Sequence, residues 1–251
     1  MHSPEPPQGA QSALRAIRLL KLFTPERAEM TLAELSKAAG LNKTTTHRLL
    51  QALQSESLVE RNAATSVYSL GPGLMALGVQ ALASSDLRKR VRPVLRTLAR
   101  ETGETATLEV PVEDSMLILD EVAGSHVVAA AGNVGTRWPL HATSTGKAWL
   151  AFDDSSLERL AEMLPPLTPR TLIQRSAFQP ELIRIRRCGY ATTIDELEDG
   201  FTAVATVIRG ALGDVQAALS IGGPTQRLGA AQRAKLGGLL RQAATRLSQQ
   251  Y

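Results

Sequence analysis

The stretch at residues 31–50, TLAELSKAAGLNKTTTHRLL, constrains this chain more than any other. Thr31 with Glu34 three residues later is a capping-box pattern, so a helix starts there. Leu32, Leu35 and Ala39 then recur at helical spacing along one side. Gly40 stands where the chain must turn, and glycine takes the left-handed backbone of a helix end without steric cost. Asn42 is a strong N-cap and predicts a second helix from Lys43 to about Ser55. On it Thr46, Leu49, Leu50 and Leu53 face inward. Lys43, Thr44, Thr45, His47, Arg48 and Gln51 face outward, and each can donate a hydrogen bond. A short helix, a tight turn and a longer helix with a donor face is the layout of a helix-turn-helix. The donor face is what a helix needs to lie in a major groove.

An ordinary helical hairpin with a solvated face fits these residues about equally well. The neighbouring segments favour the first reading. Residues 58–70, LVERNAATSVYSL, predict a β-hairpin turning at Asn62–Thr65, which after a recognition helix is a wing. Arg61 and Asn62 at its tip can reach phosphate or the minor groove. Upstream, Ser12 is expected to cap a helix with Ala13, Leu14, Ile17, Leu20 and Phe23 on its inner side.

Charge follows the same division. Residues 1–90 carry eleven Lys/Arg against seven Asp/Glu, whereas 91–251 carry seventeen of each. The positive excess lies on the winged segment and the stretch just after it, as expected for a DNA-binding part beside a neutral sensing part. No apolar run approaches a membrane span, and MHSPEPPQG reads as a disordered tail rather than a signal peptide. The single cysteine, Cys188, fits a reducing cytoplasm and is read as a small buried hydrophobe.

Gly71-Pro72-Gly73 breaks the chain after the wing, and helices are expected over 74–86 and 87–101. From 104 onward the period changes. Strands are expected at 105–110, 116–121, 127–131, 190–193, 203–208 and 215–221, with helices at 144–152, 181–188 and 229–250. The fold class is α+β: a winged helix-turn-helix, then an antiparallel sheet with helices on its faces. The expected domains are a tail at 1–11, the winged helix at 12–70, a linker helix at 71–86 and a second domain at 87–251.

Six blocks in this order resemble the IclR family of bacterial transcriptional regulators. They are LAELSKAAGLNKTTTHRLLQAL, YSLGPGLMALG, ETGETATLEV, WPLHATSTGKAWLAF, RRCGYATTIDELEDGFTAVAT and AALSIGGPTQR. The resemblance runs from about residue 12 to about 250. It implies a GAF/PAS-like second domain that binds a small metabolite, and a dimer or tetramer that represses or activates catabolic operons. It also implies that backbone groups at Ser144 and Thr145 hold the acid group of an effector, with Ser220 in the pocket. Trp138, Leu140 and Phe201 match apolar pocket positions.

The helix start at Ser144–Thr145–Gly146 supports this independently, because the first N–H groups of a helix are unpartnered and carry its positive dipole end. Family members that take small keto acids have an aspartate where this chain has Thr193, a cysteine where it has Ala203, and a serine where it has Gly222. These changes predict a roomier, less polar pocket that takes a small carboxylate such as an aromatic acid. The implied partners are double-stranded DNA with a pseudo-palindromic operator, the organic-acid effector and a second copy of the chain. No cofactor, metal or membrane is expected.

An enzyme is the rival class. His141, Ser144, Lys147 and the acidic run Asp195, Glu196, Glu198, Asp199 contain the residue types of catalysis, but nothing in the sequence assembles a nucleophile, a base and an orienting group. His141 is read as a structural histidine lining the pocket, Lys147 as either an added charge or a solvated helix residue, and the acidic run as a solvated loop. His2, His47, His126 and His141 show no zinc spacing with Cys188, and GNVGTR at 132–137 is read as a turn.

Overall fold

A computed structural model describes residues 10–24, 27–126, 133–153, 157–158 and 160–249. The proposed tail residues 1–9 and the proposed strand at 127–131 lie outside the described residues. The chain divides into two compact units, one ending at Ser84 and the other beginning at Ser85.

The first unit contains α1 (Gln11–Leu20), β1 (Glu29–Thr31), α2 (Leu32–Ala39), α3 (Lys43–Ser55), β2 (Val59–Arg61), β3 (Val67–Leu70) and α4 (Pro72–Ser84). The capping box forms in full: Thr31 N–H donates to Glu34 Oε2 at 2.7 Å, and Glu34 N–H donates to Thr31 Oγ1 at 3.3 Å. Gly40 closes α2 with φ 65°, and Asn42 Oδ1 accepts from the Thr45 N–H at 2.8 Å to open α3. Leu19, Phe23, Leu35, Leu50, Leu53, Val59 and Tyr68 form the core.

Three details differ from expectation. Ser12 does not cap α1, because the helix begins at Gln11 behind Ala10 and has no side-chain cap. The inward stripe is Ala16, Leu19, Leu20 and Phe23, at i, i+3, i+4 and i+7, which turns Ile17 outward at 50% exposure. The wing also gains a third strand: β1 pairs antiparallel with β3, Met30 opposite Tyr68, giving the order β1-β3-β2. Three residues are too few to show strand alternation in the sequence. Helix α4 buries none of its residues, and Met75, Leu77 and Val79 are more than half exposed.

The second unit contains α5 (Asp86–Thr102), β4 (Thr105–Val112), β5 (Ser115–Val122), β6 (Arg137–Pro139), a 3-10 turn at Leu140–Ala142, α6 (Ser144–Phe152), α7 (Phe178–Cys188), β7 (Ala191–Ile194), β8 (Phe201–Arg209), β9 (Val215–Pro224) and α8 (Ala230–Ser248). The six strands make one antiparallel sheet in the order β6-β5-β4-β9-β8-β7. Strand period two sorts its side chains. Ala106, Leu108, Val204, Ile208, Leu219 and Ile221 pack against α5 and α8. Ala205, Val207 and Ala218 pack on the other face, with Trp149 and Leu150 of α6 and Phe178, Leu182 and Ile185 of α7.

A β-bulge in β5 breaks the alternation. Leu108 opposes Asp120 but Glu109 opposes Ile118, so Leu119 is the extra residue. Asp120 is thereby turned toward α5, where Arg88 lies 3.4 Å away and Arg92 donates to it. Ile118 and Glu121 both face the opposite side.

Candidate nucleic-acid interface and ligand cavity

The outer face of α3 carries the donors anticipated from the sequence. Lys43, Thr44, Arg48 and Gln51 are exposed, Thr45 and His47 are half-buried, and Asn42 is exposed with its carbonyl oxygen committed to the cap. Thr46, Leu50 and Leu53 are buried beneath them. On the wing, Arg61 Nη2 donates to Ser66 Oγ at 3.0 Å, and its guanidinium lies 5.8 Å from the Tyr68 ring centroid. Asn62 Oδ1 accepts from the Ala64 and Thr65 N–H groups, which shapes the turn and leaves its amide NH2 as the outward donor.

A cavity opens between the sheet and the start of α6. Eight of the ten residues proposed for the pocket line it: Trp138, Ser144, Thr145, Thr193, Phe201, Ala203, Ser220 and Gly222. Leu140 and Gly146 do not. Leu140 is buried in the core with α6. Gly146 is where the 3-10 turn touches the helix: a Cβ there would stand 2.1 Å from the Leu140 carbonyl oxygen. Its N–H is occupied by Thr143 Oγ1 at 3.1 Å, so of the three expected anion-binding positions it is already satisfied.

The sequence reading missed the wall built by β4 and β5. Thr105, Thr107 and Glu109 face the cavity from alternate positions of β4, joined by Ile118 and Glu121 of β5. Glu109 is 5% exposed. It accepts from Thr107 Oγ1 at 2.7 Å and from Thr145 Oγ1 at 2.6 Å, and Thr107 Oγ1 lies 2.7 Å from Ser220 Oγ. A hydrogen-bonded chain thus runs from β9 through β4 to the first turn of α6. Burial pushes the Glu109 carboxyl above the usual carboxylate range, against the opposing pull of the Thr145, Thr107 and Ser220 hydroxyls. Burial also raises Glu121, helped by the negative charges of Glu109 and Asp120. The Thr105 hydroxyl is buried with no hydrogen-bond partner among the described residues. A signal was present in TATLEV, where three polar residues alternate on a strand that is otherwise apolar.

The wall carries polar groups that the substitutions did not anticipate, in Thr105, Thr107, Glu109 and Glu121, and the room expected at Gly222 is taken. A Cβ at Gly222 would lie 2.7 Å from Phe201 Cζ, so the Phe201 ring fills the space a serine would use. Glu198 and Leu197 complete the wall, and no Lys, Arg or His lines the cavity among the described residues.

The residues weighed for catalysis are apart or engaged. His141 Nε2 lies 3.0 Å from the Pro165 carbonyl oxygen, off the cavity wall, and burial lowers its pKa. Lys147 is neither solvated nor in the cavity: its side chain is 2% exposed and paired with Glu196. Asp195 accepts from Thr225 Oγ1 and the Gly200 N–H, so the acidic loop is anchored rather than merely solvated. Cys188 is partly exposed, with its thiol 3.1 Å from the Tyr190 carbonyl oxygen, because it sits at the last turn of α7.

Residues 12–63 match the IclR helix-turn-helix domain, and residues 79–249 match the bacterial transcriptional regulator IclR C-terminal domain. The chain belongs to the IclR family. Among its IclR relatives, the HTH-type transcriptional regulator XynR of Escherichia coli K12 is 33% identical over 95% of this chain and 96% of its own length. A putative IclR transcriptional regulator from Silicibacter sp. TM1040 superposes with a TM-score of 0.85 at 29% identity, covering 95% of each chain. An IclR homolog from Microbacterium hydrocarbonoxydans, complexed with 4-hydroxybenzoate, superposes with a TM-score of 0.75 at 27% identity, over 95% of this chain and 98% of that one. This IclR-family chain is a DNA-binding transcriptional regulator. Among the described residues, no helix is long and apolar enough to cross a membrane.

Proposed function

We propose that this regulator controls a catabolic operon in response to a small organic acid bound in the α6 cavity. The observation that carries the reading is the convergence of eight anticipated residues on one cavity at a helix start. Gly146 N–H is taken, so the acid group is received by the Ser144 and Thr145 N–H groups. The Thr105 hydroxyl supplies a further polar contact. Trp138 and Phe201 give the cavity an aromatic side, which favours a flat ligand body. The 4-hydroxybenzoate bound to the Microbacterium homolog is an acid of this type.

On DNA, α3 enters the major groove, with Thr45 and Arg48 at base edges or adjacent phosphates and Lys43 at phosphate. Arg61 and Asn62 of the wing touch the backbone or minor groove. One reading helix per chain specifies few base pairs, so the protein acts as a dimer, or a tetramer built from dimers, on a pseudo-palindrome. The exposed apolar residues of α4 are a surface that a second copy can cover. Effector binding changes operator affinity by the difference in its affinity for the two DNA-binding states, and by no more than that.

The test is thermal unfolding with a panel of aromatic and short keto acids. Stabilisation by an aromatic acid is expected to follow RT ln(1 + [L]/Kd), about 2.7 kcal/mol at a hundredfold excess over Kd. A response to pyruvate or glyoxylate alone overturns the aromatic reading, and a Ser220→Leu variant with a normal response moves the site elsewhere.

A further inference from the structure

The cavity that would receive an acid is lined by acids, and no cation lines it among the described residues. We propose that Glu109 couples effector binding to a proton, so that the cavity accepts a monocarboxylic acid only with Glu109 neutral and hydrogen-bonded toward it. The inference rests on the organic-acid reading of the cavity.

The geometry leaves little alternative. Thr145 Oγ1 donates to Glu109 Oε2 at 2.6 Å, and Thr145 is also one of the two residues whose N–H groups are available for the acid group. An anion seated there is separated from Glu109 by about one residue's width. Two carboxylates at that separation, buried and without a counter-ion, cannot both keep their charge. The surroundings offer no relief. Glu121 on β5 and Glu198 in the loop after β7 are acidic, Ser220 on β9 is neutral, and Lys147 of α6 is turned onto Glu196. His141 is held on the Pro165 carbonyl oxygen. Burial already favours the neutral form of Glu109. The hydroxyls of Thr107, Ser220 and Thr145 can each reverse donor and acceptor roles, so the chain reorganises without moving a heavy atom when Glu109 becomes the donor. The proton comes from solvent. A second anionic group on the ligand would find no cation in the wall among the described residues, so diacids are expected to bind more weakly than monoacids.

The experiment is calorimetric titration of the full-length protein with 4-hydroxybenzoate and benzoate between pH 5.5 and 8.5. Each point is run in two buffers of different ionisation enthalpy, which reports protons taken up directly. In the wild type, affinity is expected to fall as pH rises, approaching tenfold per unit, with uptake approaching one proton in that limb. In Glu109→Gln, a neutral carboxyl mimic, binding is expected to persist, with the slope and the uptake gone. A flat wild-type profile overturns the proposal. So does an unchanged slope in Glu109→Gln, which assigns the proton to His141 or Glu121. A carbon NMR titration of the Glu109 carboxyl in the 4-hydroxybenzoate complex separates proton coupling from acid binding. A Glu109 that is ionised in the complex at pH 7 overturns the proton coupling even where an acid binds. Absence of binding by both acids at pH 5.5 overturns the organic-acid reading and this proposal with it.

Discussion

The Lys147 ammonium on α6 meets both carboxylate oxygens of Glu196, at 2.6 and 2.5 Å, across the space between the helix and the loop after β7. The same loop is held by Thr168 Oγ1, which donates to the Asp195 carbonyl oxygen at 2.6 Å, and by Thr171 Oγ1, which donates to that of Glu196 at 2.7 Å. Leu197 and Glu198, next in the chain, are cavity wall. The pair therefore fixes the loop against the helix whose start would receive the ligand. Lys147→Ala leaves a largely buried carboxylate without its partner and is expected to cost about 3–5 kcal/mol. The double variant Lys147→Met, Glu196→Gln is expected to cost distinctly less, because no unpaired charge remains. Denaturant midpoints of the two variants check this, and equal losses would contradict it.

Gly146 makes a second test of the same corner. A methyl group at this position meets the Leu140 backbone, which has no flexible side chain to move aside. Gly146→Ala is expected to separate the 3-10 turn from α6 and destabilise the second unit by about 1–3 kcal/mol or more, an overpacking cost. Gly40→Ala, with open space around it but φ 65°, is expected to lose only about 1 kcal/mol. Thermal unfolding of the two variants ranks them.

Glu109 makes stability depend on pH in a direction opposite to that of a salt-bridged acid. Its folded pKa is raised, so between the ordinary carboxylate range and that higher value the folded chain holds more protons than the unfolded one. Stability from this group is full below the unfolded pKa and is lost as pH rises through the folded pKa. Glu109→Gln is expected to gain stability relative to wild type as pH is raised across that window. The difference in melting temperature, measured from pH 4 to 8, checks the sign. A difference that narrows with rising pH contradicts it.

The recognition face separates into roles. Arg48→Ala is expected to cost about 1–3 kcal/mol of operator binding and to relax sequence preference if it pairs with a guanine. Lys43→Ala is expected to weaken all DNA alike and to flatten the salt dependence. Asn42→Ala removes the cap hydrogen bond to the Thr45 N–H and is expected to cost about 1 kcal/mol of stability. Anisotropy titrations on operator and unrelated DNA distinguish these outcomes.

The winged unit was legible because its signals are local. Thr31, Glu34, Gly40 and Asn42 each satisfy backbone groups within four residues of themselves, and α3 matches its expected bounds. Helix α6 was legible for the same reason, with Thr143 capping it. The cavity's polar wall was not. Alternation along β4 puts Thr105, Thr107 and Glu109 on one side, but which side meets the cavity depends on pairing with β9, and Glu121 reaches it through a bulge at Leu119. Lys147 could be read as an added charge or a solvated residue, but not as paired, because its partner lies 49 residues away. The substitution at Gly222 suggested space because the sequence does not place Phe201 over it.

Reading of a symmetric operator by α3 and its wing, two copies at a time, is tested by a footprint on the promoter region of the protein's own gene, repeated across salt concentrations. Two protected half-sites are expected, with centres one helical turn (~34 Å) apart or a multiple of it, and affinity that falls steeply as salt rises. Protection of a single asymmetric site by a monomer, or no salt-sensitive binding at all, would contradict it.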